Sequence, residues 1–243
     1  MAKSYNLDAP LEELLDIAER KFGKIGFEVI NVGGEEMRIL QVTDMPAYID
    51  KLMGNTKSGD SVDLPLWAKV WPTALLMGMY MMKGPVKSDG SLLEVGAGVG
   101  VCGLFAAKRG MDVTITDIEP DALLFSQINI LKNGLQDKAK VAYCDYSETQ
   151  LGEKFDYILG CEVVYQPAIY DALADCLMAH LKTDDHSEII LAMEERDTTE
   201  LFFDKVKDKV QLMRTKMPLT GFTNQAGEVR EAHVVRMKVE NPA

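Results

Sequence analysis

The sequence predicts an α/β protein: a doubly wound, mostly parallel seven-stranded sheet, an antiparallel strand pair at its carboxyl-terminal end, and an N-terminal helix and β-hairpin extension. Three observations lead there. From Ser91 onward, short apolar runs of strand length alternate with longer runs of helical period. The first run ends in a glycine-rich turn, "GAGVG", and the second in an acid, Asp117. The tail then breaks the alternation with two strand-like runs and no convincing helix.

Taken in order, "APLEELLDIAERKFG" sets Leu11, Leu14, Leu15, Ala18 and Phe22 at helical spacing, with Asp8 as the expected cap and Gly23 as the stop. "FEVINVGGEEMRILQV" reads as two strands joined at Gly33 and Gly34. "DMPAYIDKLMG" is a short helix and "NTKSGDSVD" a loop. A further helix starts near Pro72, because proline suits a first helical turn. Strands follow at 91–95, 112–116, 139–144, 155–160 and 188–193. Helices fall at about 99–109, 120–131, 168–181 and 198–210. "VQLMRTKMP" and "REAHVVRMKV" form the closing pair, around a turn-rich "LTGFTNQAGEV". Residues 1–63 are then the extension and residues 64–243 the main domain.

Composition narrows the function. The formal net charge of −12 repels phosphate backbones, and no basic run offsets it, so nucleic acid is not an expected partner. Cys102, Cys144, Cys161 and Cys176 form no C-x-x-C pair and read as reduced thiols. The three histidines are scattered, with no H-E-x-x-H, and no metal site is expected. The polar start "MAKSYNLDAP" is no signal peptide, and the most apolar run, "ALLMGMYMM", is too short to span a bilayer. A soluble, cytoplasmic protein without a membrane partner is expected. Oligomeric state is not legible.

The glycine-rich turn carries the chemistry. Gly96, Gly98 and Gly100 let the backbone turn sharply and a ligand approach closely. The following helix aims its N–H groups at that ligand. Asp117 closes the next strand, where a carboxylate accepts hydrogen bonds from ribose hydroxyls. Glycine spacing alone leaves two ligands open, since "GVGVCG" is also a formal match to the dinucleotide G-x-G-x-x-G. Glu94 favours one of them. A carboxylate there is awkward beside a pyrophosphate but suits the ammonium and sulfonium of S-adenosylmethionine.

With these features the chain resembles the class I, Rossmann-like, seven-strand S-adenosylmethionine-dependent methyltransferases, from about Leu64 onward. The resemblance implies that "EVGAGVG", including Glu94, Gly96, Ala97, Gly98 and Gly100, wraps the methionine part of the cofactor. It places Asp117 on the ribose, Ile118 on the adenine, and Asp145 with Tyr146 near the adenine amino group. Cys161, at the end of the fourth strand of the sheet, joins the cofactor set.

Beyond that strand, "DYILGCEVVYQP" sets Glu162 and Tyr165 where a substrate would meet the methyl group. These two are the expected catalytic residues. The paired prolines of amino-methylating DNA enzymes are absent. "EVVY" is instead similar to the acid-x-x-Tyr motif of seven-strand protein-lysine methyltransferases, and "AKVWPTALLM" to their tryptophan segment, with Trp71 beside the cofactor. The expected reaction is N-methylation of a lysine side chain in a protein, with a small amine as the alternative acceptor. The absence of a Tyr-x-x-x-Lys proton donor counts against a nicotinamide oxidoreductase. The intact glycines and Asp117 count against a binding module without catalysis.

Overall fold

The computed structural model describes residues 5–55, 64–148 and 150–239. Most of the expected loop "NTKSGDSVD" lies outside the described residues. The extension comprises α1 (Leu11–Phe22), the hairpin β1 (Ile25–Val32) and β2 (Glu35–Val42), and α2 (Met45–Asn55). Gly33 and Gly34 turn the hairpin at φ 64° and 89°, a left-handed pair that side chains with a Cβ adopt poorly. Gly23 ends α1, donating its N–H to the Glu19 carbonyl at 2.9 Å. Asp8 does not cap this helix: Pro10 takes the N-cap position, with no side-chain cap.

The main sheet takes its strands in the order β5-β4-β3-β6-β7-β9-β8. They are β3 (Ser91–Val95), β4 (Asp112–Asp117), β5 (Ala139–Tyr143), β6 (Tyr157–Cys161), β7 (Glu188–Met193), β8 (Val210–Thr223) and β9 (Val229–Val239). The first five are parallel to one another, and β9 inserts antiparallel between β7 and β8. This is the predicted seven-stranded sheet. Its chain winds outward from β3 in both directions, so the carboxyl ends of β3 and β6 flank a switch point where a crevice opens.

Strand pleating sends alternate residues to two separate cores. Leu92 joins the core shared with α3 (Pro72–Lys83), α4 (Val101–Arg109) and α5 (Pro120–Lys132). Leu93 joins the core shared with α6 (Tyr170–His180) and α7 (Thr199–Val206). Burial on both faces explains why the parallel strands read as continuous apolar runs.

The extension packs outside α5 and adds to the first core. Phe22 meets Phe125 of α5 and Trp67 at ring-centroid distances of 5.1 and 5.7 Å. Lys21 pairs with Asp121 at 2.5 Å, and the Tyr5 hydroxyl donates to the same carboxylate at 2.6 Å. Strand β2 would leave an open edge, but Asn129 of α5 and Asn133 at its C-cap occupy it. The Leu40 N–H donates to Asn129 Oδ1 at 2.8 Å, and the Arg38 N–H to Asn133 Oδ1 at 2.9 Å.

Several boundaries shift for local reasons. Helix α4 starts two residues later than expected because Gly100 is left-handed, φ 77°. Phe155 makes only an isolated bridge to Leu181, so β6 begins at Tyr157. Residues 167–169 form a 3-10 turn before α6. Helix α7 is shorter than expected, because Val210 already pairs with Val239 in the sheet. Strand β8 runs past Pro218, which has no N–H to donate, and the register slips between Pro218 and Thr223. The true turn is later, where Asn224 Oδ1 accepts the N–H groups of Ala226 and Glu228. Among the described residues no helix is long and apolar enough to cross a membrane.

Candidate functional site

At the carboxyl ends of β3, β4, β5, β6 and β7 lies a cleft of about 980 Å³. A smaller polar hollow of about 270 Å³ sits at the opposite ends of β3, β4 and β5. Every residue expected at the site lines the larger cleft except Gly100. A Cβ at Gly100 would meet Ser126 Oγ at 2.9 Å and Ile115, so this glycine serves packing beneath the turn.

The turn is shaped from below by α5. Ser126 donates to the Gly98 carbonyl at 2.9 Å, and Asn129 Nδ2 to the Val99 carbonyl at 3.0 Å. Two of its glycines face crowded ground. A Cβ at Gly96 would meet the Tyr146 hydroxyl at 2.6 Å, and one at Gly98 the Trp67 carbonyl at 2.7 Å. Both also have φ 57°. Asp117 is 7% exposed and accepts the Gly98 N–H at 2.8 Å and the Glu119 N–H at 2.9 Å. Burial raises its carboxyl above the usual range, and those backbone donors work against the rise.

Glu94 is 2% exposed and turns toward the start of α4, where its Oε2 accepts the Gly103 N–H at 2.8 Å. A Cβ on Gly103 would come within 2.5 Å of that oxygen. The last glycine of "GVGVCG" is thus explained by close approach of Glu94, with no dinucleotide needed. Burial pushes the Glu94 carboxyl up to about 7, against the hydrogen bonds from Gly103 and Cys102.

Asp145 accepts two hydrogen bonds from Ser147, backbone at 2.9 Å and hydroxyl at 2.7 Å, which hold its carboxyl below the usual range. Burial raises the Tyr146 hydroxyl well above its usual value. Ile118 and Tyr165 stand about half exposed at the cleft mouth. Trp71 donates its indole N–H to the Leu66 carbonyl at 3.2 Å, and Lys69 lies 4.3 Å over its ring. Cys161 and Cys102 bring their sulfurs within 3.4 Å at the cleft floor, and both remain thiols.

Glu162 is the only non-glycine residue with a positive φ, 56°, among those described. Such a backbone costs about 1–3 kcal/mol and persists only where the surroundings enforce it. Here they do. The Glu162 N–H donates to the Ala192 carbonyl at 2.8 Å. Its Oε1 accepts the Glu194 N–H at 3.0 Å, and its Oε2 accepts from Arg196 Nη2 at 2.5 Å. The carboxylate is 94% buried, while Arg196 is about one-third exposed into the cleft.

Trp67, Ser126, Asn129 and Arg196 were missed from sequence. Trp67 lies in the same "LWAKVW" segment as Trp71, a signal available but unused. Arg196 follows the fifth parallel strand, and the crevice rule that located Glu162 applies equally there.

Comparison with known proteins identifies the family. The family profile described as lysine methyltransferase matches residues 41–209, well over half of the chain. A protein N-lysine methyltransferase METTL21A of Danio rerio is 32% identical over 161 residues, spanning 63% of this chain and 72% of that one. METTL21A of Mus musculus is 37% identical over 143 residues, 54% of this chain and 63% of its own. An EEF1A lysine methyltransferase 3 of Mus musculus is 35% identical over 133 residues, 53% of this chain and 56% of its own. Among solved structures, the glycopeptide N-methyltransferase MtfA with S-adenosyl-L-homocysteine superposes with a TM-score of 0.56 at 12% identity, covering 80% of this chain and 98% of that one. At such identity the likeness is one of fold. The chain therefore belongs to the lysine methyltransferase family, enzymes that take their methyl group from S-adenosylmethionine.

Proposed function

We propose that the protein methylates the side-chain nitrogen of a lysine in a protein substrate, at the cleft on the carboxyl edge of the sheet. The observation that carries this reading is the meeting, in one cleft, of the glycine turn, the buried acid Asp117 and the strained Glu162. The lining fits the cofactor: Glu94, Asp117 and Asp145 bring carboxylates to the cleft where a cationic nucleoside would sit. S-adenosylmethionine supplies an electrophilic methyl group on a sulfonium.

In this reading Glu94 and the turn from Gly96 to Gly98 hold the amino-acid part. Asp117 holds the ribose hydroxyls, Ile118 packs on the base, and Asp145 meets its polar edge, with the Tyr146 hydroxyl directed at Gly96 of the turn. Cys161 and Trp71 wall the reacting centre. Methyl transfer needs an unprotonated amine, so the site must hold the lysine nitrogen without locking its proton on. Glu162 and Tyr165 orient that nitrogen, and rate comes from alignment and exclusion of water. Gly100 does not line the cleft; with its left-handed backbone it is the N-cap of α4.

A protein acceptor is favoured over a small amine because named relatives are protein N-lysine methyltransferases. The formal charge of −12 argues against a nucleic-acid partner. A cytoplasmic location belongs to the same proposal, since four free cysteines suit a reducing compartment. The test is incubation of the purified protein and methyl-tritiated S-adenosylmethionine with heat-treated cell extract. Label in a protein band, released as methyl-lysine on acid hydrolysis, supports the reading. Label confined to small molecules contradicts it.

A further inference from the structure

We infer that Arg196 is a positioning residue that keeps the substrate nitrogen deprotonable by neutralising Glu162. The inference rests on the proposed lysine reaction. A lysine ammonium entering beside an unpaired, buried carboxylate would be stabilised in its charged form, and its pKa would rise. That would favour binding and oppose reaction, because only the neutral amine has a lone pair to attack with. In this structure the carboxylate is already satisfied. Arg196 Nη2 bonds Glu162 Oε2 at 2.5 Å, and the Glu194 N–H takes Oε1 at 3.0 Å.

Arg196 is itself held. Its Nη1 donates to the Glu194 carbonyl at 3.2 Å, and its own N–H to the Thr199 hydroxyl at 3.0 Å. The two acids that precede Arg196 have basic side chains beside them. Glu194 is gripped by both donor sides of Arg230 from β9, and Glu195 lies 3.2 Å from His233. From the loop after β6 comes Tyr165, which also lines the cleft. The substrate nitrogen thus meets a guanidinium–carboxylate pair of zero net charge. It can orient on the outer lone pairs of Glu162 without a full opposing charge. A proton leaving the ammonium passes to water at the half-exposed mouth.

The test compares wild type, Arg196→Gln and Arg196→Lys in methyl-tritium incorporation into heat-treated cell extract, from pH 6 to pH 10. The expected result for Arg196→Gln is an acid limb displaced about one pH unit upward, with about tenfold less incorporation at pH 7 that recovers at high pH. Arg196→Lys should restore the wild-type limb. S-adenosylhomocysteine affinity, measured in parallel, should stay close to wild type and report a folded cleft. A uniform loss at every pH, or an unmoved limb in Arg196→Gln with affinity intact, would overturn the inference and leave the lysine reading standing. Failure of wild type to label any lysine would remove both.

Discussion

Glu94 and Glu162 are both buried acids, and the protein treats them differently. Glu162 has a guanidinium; Glu94 has only backbone and thiol donors, and its carboxyl rises to about 7. A folded-state value above the unfolded one, roughly 4.3, means the folded protein holds this proton more tightly. Stability from Glu94 is therefore greatest at low pH and is lost as pH climbs from about 4 through 7, by roughly 4 kcal/mol in all. Glu94→Gln keeps an acceptor for the Gly103 N–H and cannot ionise. Thermal melts from pH 5 to pH 8 should show wild type losing stability relative to the variant; parallel curves would refute the assignment. Bound cofactor should reverse the sense, since its ammonium favours the ionised acid, so affinity should rise with pH more steeply in wild type than in the variant. The places of Glu94 and Glu162 at strand ends were legible in the sequence. The left-handed backbone of Glu162 and its arginine were not, because that partner lies 34 residues away and is set by the β6–β7 pairing.

Elements of regular period were the most legible. Strands β3 and β7 fall where the apolar runs place them, since burial on both faces leaves an unambiguous signature. Ends governed by one backbone conformation were less so, as at Gly100 and along β8, which continues through the turn-rich residues 219–223 while its register with β9 breaks between Pro218 and Thr223. Gly103 shows how tertiary approach overrides propensity. Alanine there would favour an isolated helix by roughly 1 kcal/mol. In α4 its Cβ would collide with Glu94 Oε2 and Ile115. Gly103→Ala should therefore lower stability, by about 1–3 kcal/mol, read from the urea midpoint at unchanged slope. A stabilised variant would mean that Glu94 does not occupy this position.

At the scale of the whole molecule, the apolar face of α1 was legible but not the surface it meets. That surface is α5, the same helix that shapes the glycine turn through Ser126 and Asn129. The extension and sheet are thereby coupled through one core. Phe22 touches Tyr48, Trp67 and Phe125, so Phe22→Ala should cost about 3–5 kcal/mol and lower a single unfolding transition. Two separated transitions in calorimetry would show the extension to be an independent unit. The central claim is that the cleft holds the methyl donor through Asp117. The most direct measurement is calorimetric titration of wild type and Asp117→Ala with S-adenosylhomocysteine. One molecule should bind per wild-type chain. The variant should lose about 1.5–3 kcal/mol of affinity, the worth of hydrogen bonds to a charged acceptor. Equal affinity in both proteins, or no binding to folded wild type, would contradict the account.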